Sequence, residues 1–318
     1  KEEKMKKVVL AEKPSVARDI ARVLGANGKR NGYMEGDKYI VTWALGHLVT
    51  LAEPEDYNKS YKSWNMEDLP MLPSPMKLQV IKGSSKQFHS VKEAINRKDV
   101  GEIVIATDAG REGELVARWI LEKIGVRKPI KRLWISSVTD KAIKDGFARL
   151  KNGKDYENLY ASAQARAEAD WYVGINATRA LTVKYNTPLS CGRVQTPTLQ
   201  MIASREEGIR SFVPKDYYGI KVEVDKVTLT WRSPENRDIK TFDMAARDKA
   251  MESMKKGKVK VTSLQKKTKK QYAPALYDLT ELQRDANSRF GFSAKETLSI
   301  MQGLYENHKV LTYPRTDS

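Results

Sequence analysis

Residues 311–318 read Leu-Thr-Tyr-Pro-Arg-Thr-Asp-Ser and place a candidate nucleophile, Tyr313, beside a cation, Arg315. Pro314 biases Tyr313 away from helical geometry, so an extended segment is expected, with Tyr313 and Arg315 on one face. A phenol next to a guanidinium suits attack on a phosphodiester, because the guanidinium can fork onto two phosphate oxygens as their charge builds. An isolated Tyr-x-Arg is equally a packed tyrosine near a surface arginine. An acidic cluster far upstream favours the chemical reading.

Two turns carry that cluster. A short apolar run ends in Glu12-Lys13-Pro14-Ser15, and a second ends in Thr107-Asp108-Ala109-Gly110-Arg111-Glu112-Gly113-Glu114. In an open parallel sheet ligands sit beyond the carboxyl ends of the strands, which is where Glu12, Asp108 and Glu112 are expected. Three converging carboxylates are costly unless a cation holds them, and Mg²⁺ is the expected ion because it takes oxygen ligands and bridges to phosphate. A simpler reading makes Asp108 and Glu112 caps of the following helix. It leaves Glu12 and Lys13 unexplained.

Composition points to the partner. The chain has 318 residues, 31% of them charged, and a formal net charge of +17. Such an excess fits a polyanion, most plausibly nucleic acid. No long apolar run or N-terminal apolar segment is found, so no membrane partner is expected. One cysteine, Cys191, and three histidines exclude a disulfide framework and a zinc module of four cysteines, or of two cysteines and two histidines, within this chain. A reducing, cytoplasmic location associated with the nucleoid is expected. The opening Lys-Glu-Glu-Lys before Met5 reads as a short polar lead.

The elements that must position these residues change character along the chain. Residues 7–11, 39–43, 102–107 and 130–135 read as strands, and 14–24 and 114–124 as helices that stop at Gly25 and Gly125. This alternation predicts an α/β domain, a mainly parallel sheet with helices on both faces. Residues 156–185 and 196–208 read as helices, 218–224 and 228–231 as short strands, and 244–254 as a helix. Eight lysines follow between 255 and 270, either a solvated face or a phosphate-tracking segment. Thr280-x-x-Gln283 and Ser293-x-x-Glu296 read as capping boxes opening two closing helices.

Together these motifs resemble one family. The segments at 12–15 and 107–114 resemble the Toprim module. Ser190-Cys191-Gly192-Arg193-Val194-Gln195-Thr196-Pro197 and residues 311–318 resemble motifs of type IA DNA topoisomerases, specifically the bacterial topoisomerase III branch. The resemblance runs from Lys7 to Ser318 and implies a Toprim catalytic and metal domain at 1–150. A helical DNA-binding segment at 151–214, a β-rich arch segment at 215–278 and the start of a tyrosine-bearing helical domain at 279–318 would follow. Two departures stand out. The family's acidic motif usually has a second aspartate where this chain has Gly110, and its members continue well past the tyrosine, which puts strand passage by this length of chain in doubt.

The resemblance implies ATP-independent cleavage and rejoining of one DNA strand through a 5′-phosphotyrosyl intermediate, relaxing or decatenating DNA with single-stranded regions. The absence of a phosphate-binding Gly-x-x-x-x-Gly-Lys-Ser/Thr agrees with the lack of a nucleotide cofactor. Tyr313 would be the nucleophile and Arg315 its electrostatic aid. Lys13 would protonate the leaving 3′-oxygen with help from Glu12, and Glu12, Asp108 and Glu112 would hold Mg²⁺. Arg193 and Gln195, near a helix start, would meet phosphates, with hydroxyls from Ser190 and Thr196. Arg166 and Arg179 are further DNA candidates, although Arg166 and Asp170 are also spaced as an intrahelical pair. Trp64 is open to base stacking or core packing. His47 reads as structural or phosphate-adjacent. A monomer is expected. The competing readings are a Toprim-type metal-dependent nuclease or primase, in which Tyr313 only packs, and an inactive single-stranded-DNA-binding fragment.

Overall fold

The computed structural model describes residues 5–315. The polar lead, residues 1–4, and Thr316, Asp317 and Ser318 of the tyrosine motif lie outside the described residues. The chain divides into two compact units, residues 1–196 with 275–318, and residues 197–274.

The first unit opens with β1 (Lys6–Ala11), α1 (Pro14–Leu24), β2 (Gly28–Lys29), β3 (Tyr33–Glu35), β4 (Tyr39–Trp43), β5 (Val49–Leu51) and β6 (Leu78–Val80). It continues through α2 (Ser85–Asn96), β7 (Val100–Ala106), α3 (Arg111–Ile124), β8 (Ile130–Arg132), α4 (Asp140–Ala148), β9 (Lys151–Asn152) and the long α5 (Glu157–Tyr185). Among the described residues the main sheet has the order β2-β3-β4-β1-β7-β8-β9. Its centre, β4-β1-β7-β8, is parallel, and the edges are antiparallel. A mainly parallel sheet was expected from the buried apolar runs, and it is present. The very short strands β2, β3, β5, β6 and β9 were not anticipated, because two or three residues carry no readable periodicity.

Alternation along β1 builds two cores. Val8 and Leu10 pack with Phe88 and Val91 of α2 and Leu115 and Trp119 of α3. Val9 and Ala11 face the other way, toward Val16 and Ile20 of α1 and Ile143 of α4. Successive side chains point to opposite faces, so a strand covered on both sides is apolar throughout. Pro14 occupies the first turn of α1, where its missing N–H costs nothing, and Gly25 ends the helix at φ 72°.

The first residues of α6 (Gln195–Arg210) complete the first unit's run to 196. In the second unit β10 (Lys221–Val224) and β11 (Val227–Thr230) form an antiparallel hairpin, followed by α7 (Met244–Lys256). The hairpin turns through Asp225 and Lys226, at φ 47° and 66°, positions where glycine or asparagine is the usual signal. The lysine run is exposed.

The chain re-enters the first unit with α8 (Leu279–Phe290) and α9 (Ala294–Gly303). Ser293 caps α9 as expected, accepting from the Glu296 amide at 3.1 Å. The α8 cap is a correction. Asp278, not Thr280, accepts from the Glu281 amide at 2.7 Å, since the helix starts at Leu279 and Thr280 is already inside it. Beyond α9 a wider π-type turn spans Leu304–His308 and ends at Lys309, φ 56°.

Candidate active site

Sheet register brings the two acidic turns together. Ala11 pairs with Ala106 across the parallel β1–β7 ladder, so Glu12 and Asp108 leave the sheet side by side. The chain turns toward β4 after β1 and toward β8 after β7, and such a reversal of strand order opens a crevice at the carboxyl ends. The Asp108 amide donates to Glu12 Oε2 at 3.1 Å. Thr107 Oγ1 donates to the Gly113 carbonyl at 2.7 Å, closing the turn into α3. Gly113 is required by close approach, because a Cβ there would lie 2.2 Å from the Asp108 carbonyl oxygen.

The pair is electrostatically uncomfortable. Burial pushes the Glu12 carboxyl above its usual range, partly offset by the Asp108 amide and the Lys13 charge. Burial, followed by the Glu12 charge, pushes Asp108 up to about 6. Two carboxylates in low dielectric resist ionising together, and a cation relieves both.

Tyr313 meets them from the far end of the chain. Its amide donates to the Ser136 carbonyl at 2.8 Å, and its ring packs edge-on against buried Tyr305 with centroids 5.7 Å apart. The phenol and the Asp108 carboxylate line the same cavity. Burial raises the phenol pKa, the Asp108 and Glu12 charges raise it further, and the Arg315 charge lowers it. The expected extended run stops short: Pro314 and Arg315 form a turn. Tyr313 and Arg315 nevertheless line one cavity of about 630 Å³ with Glu12, Lys13, Asp108 and Glu306.

Glu306 was not anticipated. It forms an ion pair with Lys13, and its carboxylate also accepts from Gln302. In the sequence it is one acid in an amphipathic stretch, with no local mark of a partner at the other end of the chain.

Glu112 is placed differently from the expectation. Its side chain is about half exposed, and it pairs with Arg166 Nη1 at 2.9 Å. Among the described residues no group of three or more His, Cys, Asp or Glu side chains is assembled to hold a metal ion. The three expected ligands therefore divide, Glu12 with Asp108 and Glu112 with Arg166. The first turn of α3 projects Glu112 toward α5, where an arginine outcompetes convergence on a second negative site.

The Arg166 contact continues as a ladder. Arg166 lies 3.9 Å from Asp170, the anticipated intrahelical pair, and Asp170 Oδ1 is 3.2 Å from Arg193 Nε. Glu112, Arg166 and Asp170 line a groove of about 410 Å³ with His47 and Trp119. His47 is exposed in this groove and packs against Trp119 with ring centroids 6.2 Å apart. Ser190 and Gln195 are exposed, and Gln195 is the first residue of α6. Thr196 Oγ1 accepts from the Gly192 amide at 3.1 Å and donates to Cys191 Sγ at 3.4 Å, which shapes the loop before that helix.

Arg179 is a correction to the expected DNA surface. It is only 5% exposed, and its Nη1 donates to the Tyr61 carbonyl at 2.6 Å. Its guanidinium lies 5.0 Å over the Trp64 ring, and burial lowers its pKa. Helical spacing alone did not reveal that the segment at 61–64 folds over this part of α5. Trp64 stays 45% exposed, so a ring face is open on the outside of that stack.

Both regions of the chain resemble known proteins. Residues 7–138 match the Toprim domain, and residues 154–318 match the DNA topoisomerase family. The chain is 66% identical over 313 residues to DNA topoisomerase 3 of Bacillus subtilis strain 168, covering 98% of this chain and 43% of that protein. It is also 66% identical over 314 residues to DNA topoisomerase 3 of Shouchella clausii, with the same coverage. The solved full-length topoisomerase I of Thermotoga maritima is similar with a TM-score of 0.62 and 26% identity, covering 98% of this chain and 49% of that one. The chain thus spans less than half the length of the curated relatives it matches.

Proposed function

This chain belongs to the type IA DNA topoisomerase family, and we propose that it supplies the cleavage and rejoining centre of a topoisomerase III-type enzyme acting on single-stranded DNA. One observation carries the reading. Tyr313 stands in a single cavity with Asp108, Glu12, Lys13, Glu306 and Arg315, although these residues come from both ends of the chain.

The chemistry is a transesterification. The Tyr313 oxygen bonds to phosphorus, the bond from phosphorus to the 3′-oxygen breaks, and a 5′-phosphotyrosyl linkage results. The phenolic proton passes to Asp108, the carboxylate that shares its cavity. A proton reaches the departing 3′-oxygen from Lys13, which Glu306 orients. Such acid assistance contributes about a hundred- to ten-thousandfold. Arg315 offsets charge developing on the phosphate. Rejoining reverses these steps, with the 3′-hydroxyl as nucleophile, so no nucleotide is consumed.

Glu12 and Asp108 suit a divalent cation. They are oxygen donors that lie side by side, and burial pushes both toward protonation. Bound Mg²⁺ would supply positive charge beside the phosphate and help align the broken ends. Arg193 and Gln195 are placed to meet phosphates at the start of α6, and the outer face of Trp64 is available to a base.

The test uses a single strand labelled at its 3′ end and denaturant added during the reaction. A covalent protein–DNA adduct that disappears in Tyr313→Phe supports the reading. Cleavage without an adduct would support a metal-dependent nuclease instead.

A further inference from the structure

Arg132 is fully buried, and its guanidinium touches the turn that carries Asp108. Nη2 donates to the Asp108 carbonyl at 2.8 Å, while Nη1 donates to Thr107 at 2.7 Å and Leu133 at 2.8 Å. Nε donates to Glu114 Oε2 at 2.9 Å, and Glu114 is equally buried. The other Glu114 oxygen is held by Arg118, also at 2.9 Å. Trp134 lies under the guanidinium, 4.9 Å away.

Stability gives a weak reason for this arrangement. A buried ion pair is often no better for stability than well-packed apolar residues of similar volume. What it provides is geometry. One planar group with several fixed donors joins the end of β7, the catalytic turn, the start of α3 and β8, and a lysine has no such fork. The Asp108 amide is meanwhile tied to Glu12, so the backbone on both sides of the Asp108 side chain is fixed.

We infer that Arg132 is a positioning residue for strand cleavage: its guanidinium clamps the Thr107–Asp108 carbonyls and so aims Asp108 at Tyr313. This rests on the function proposed above. It adds a residue that touches neither DNA nor the reacting atoms.

Arg132→Lys keeps the charge opposite Glu114 but removes the fork. The control is Arg97→Gln, which breaks ion pairs to Glu35 and Asp99 just before β7, at the strand end away from Asp108. Both are made in the protein at its native length and compared at temperatures equally far below their own melting points. In Arg132→Lys, amide exchange across residues 106–114 is expected to rise about tenfold or more, a local opening cheaper by at least 1.4 kcal/mol. Single-turnover cleavage at saturating single strand should fall about a hundredfold, the scale of a 1 Å misplacement, while the Kd for the strand stays within about twofold. Arg97→Gln should show neither change.

Exchange at the parent's rate in Arg132→Lys overturns the inference whether or not either protein cleaves DNA. So does faster exchange with undiminished cleavage, or an equal loss in Arg97→Gln. A parent protein that never forms an adduct, with the turn still loosened in Arg132→Lys, overturns the proposed function while upholding the clamp.

Discussion

Lys13 and Glu306 lie 293 positions apart in sequence and form an ion pair inside the cavity that holds Tyr313. The pair joins the turn after the first strand to the π-type turn leading into the tyrosine. It therefore acts on two things at once, the direction of the Lys13 ammonium and the docking of the tyrosine segment. Lys13→Ala should slow cleavage by about a hundred- to ten-thousandfold, the usual worth of a positioned acid. Glu306→Gln keeps the shape and loses the charge, and a fall of about ten- to hundredfold is expected from misorientation alone. Single-turnover cleavage measures both. Parent-like rates in Lys13→Ala would remove Lys13 from the chemistry.

Gly110 sits where the resemblance leads one to expect a second aspartate. Its backbone is extended at φ −173°, and a Cβ there meets no atom within 4 Å. An aspartate can therefore be introduced without strain. Gly110→Asp should tighten Mg²⁺ binding by about tenfold, because charge count strongly tunes such sites. Calorimetric titration without DNA reads this directly. An unchanged affinity would mean that position 110 does not face the ion.

Asp108 is maintained at a cost to the fold. With its pKa raised to about 6 from an unfolded value near 3.8, the folded state holds the proton more tightly. Its destabilising effect is absent below pH 3.8 and complete above about 6. Asp108→Asn should then stabilise the metal-free protein at pH 7 by about 1–3 kcal/mol while abolishing cleavage. Thermal unfolding in chelator provides the check. A lower melting temperature in Asp108→Asn would contradict the assignment.

Glu35 has the opposite linkage. Hydrogen bonds from Arg97 and then Lys6 pull its pKa down to about 2 from 4.5. The stabilisation is complete above pH 4.5 and is lost as pH falls toward 2. Solvent screening at this partly exposed position leaves about 1 kcal/mol of it. Glu35→Gln should flatten the acid limb of unfolding free energy against pH, and an unaltered limb would show that the contacts contribute nothing.

Much of the architecture was legible because buried parallel strands are apolar throughout. Residues 7–11 and 102–107 announced themselves in this way, and the ends of those strands located Glu12 and Asp108. Proline and arginine around Tyr313 marked a candidate nucleophile. Long-range partnership left no such trace. Glu306 and Arg132 look like ordinary charged residues until the fold brings Lys13 and the Asp108 carbonyl beside them. Glu112 and Arg179 were placed by local spacing, and each was claimed by a side chain or segment remote in sequence. The partner of a charged side chain is set by which groups the fold brings beside it, which periodicity does not encode.

The account turns on which atom becomes joined to DNA. Half-buried Tyr313 lines the cavity, and Tyr305, only 3% exposed, packs against it with rings 5.7 Å apart. Denaturant trapping on a single strand, nuclease trimming and peptide mass spectrometry locate the attached nucleotide. The account predicts a phosphonucleotide on the Tyr313 side chain alone. Attachment at Tyr305 or any other residue, or complete absence of a covalent product, would contradict it.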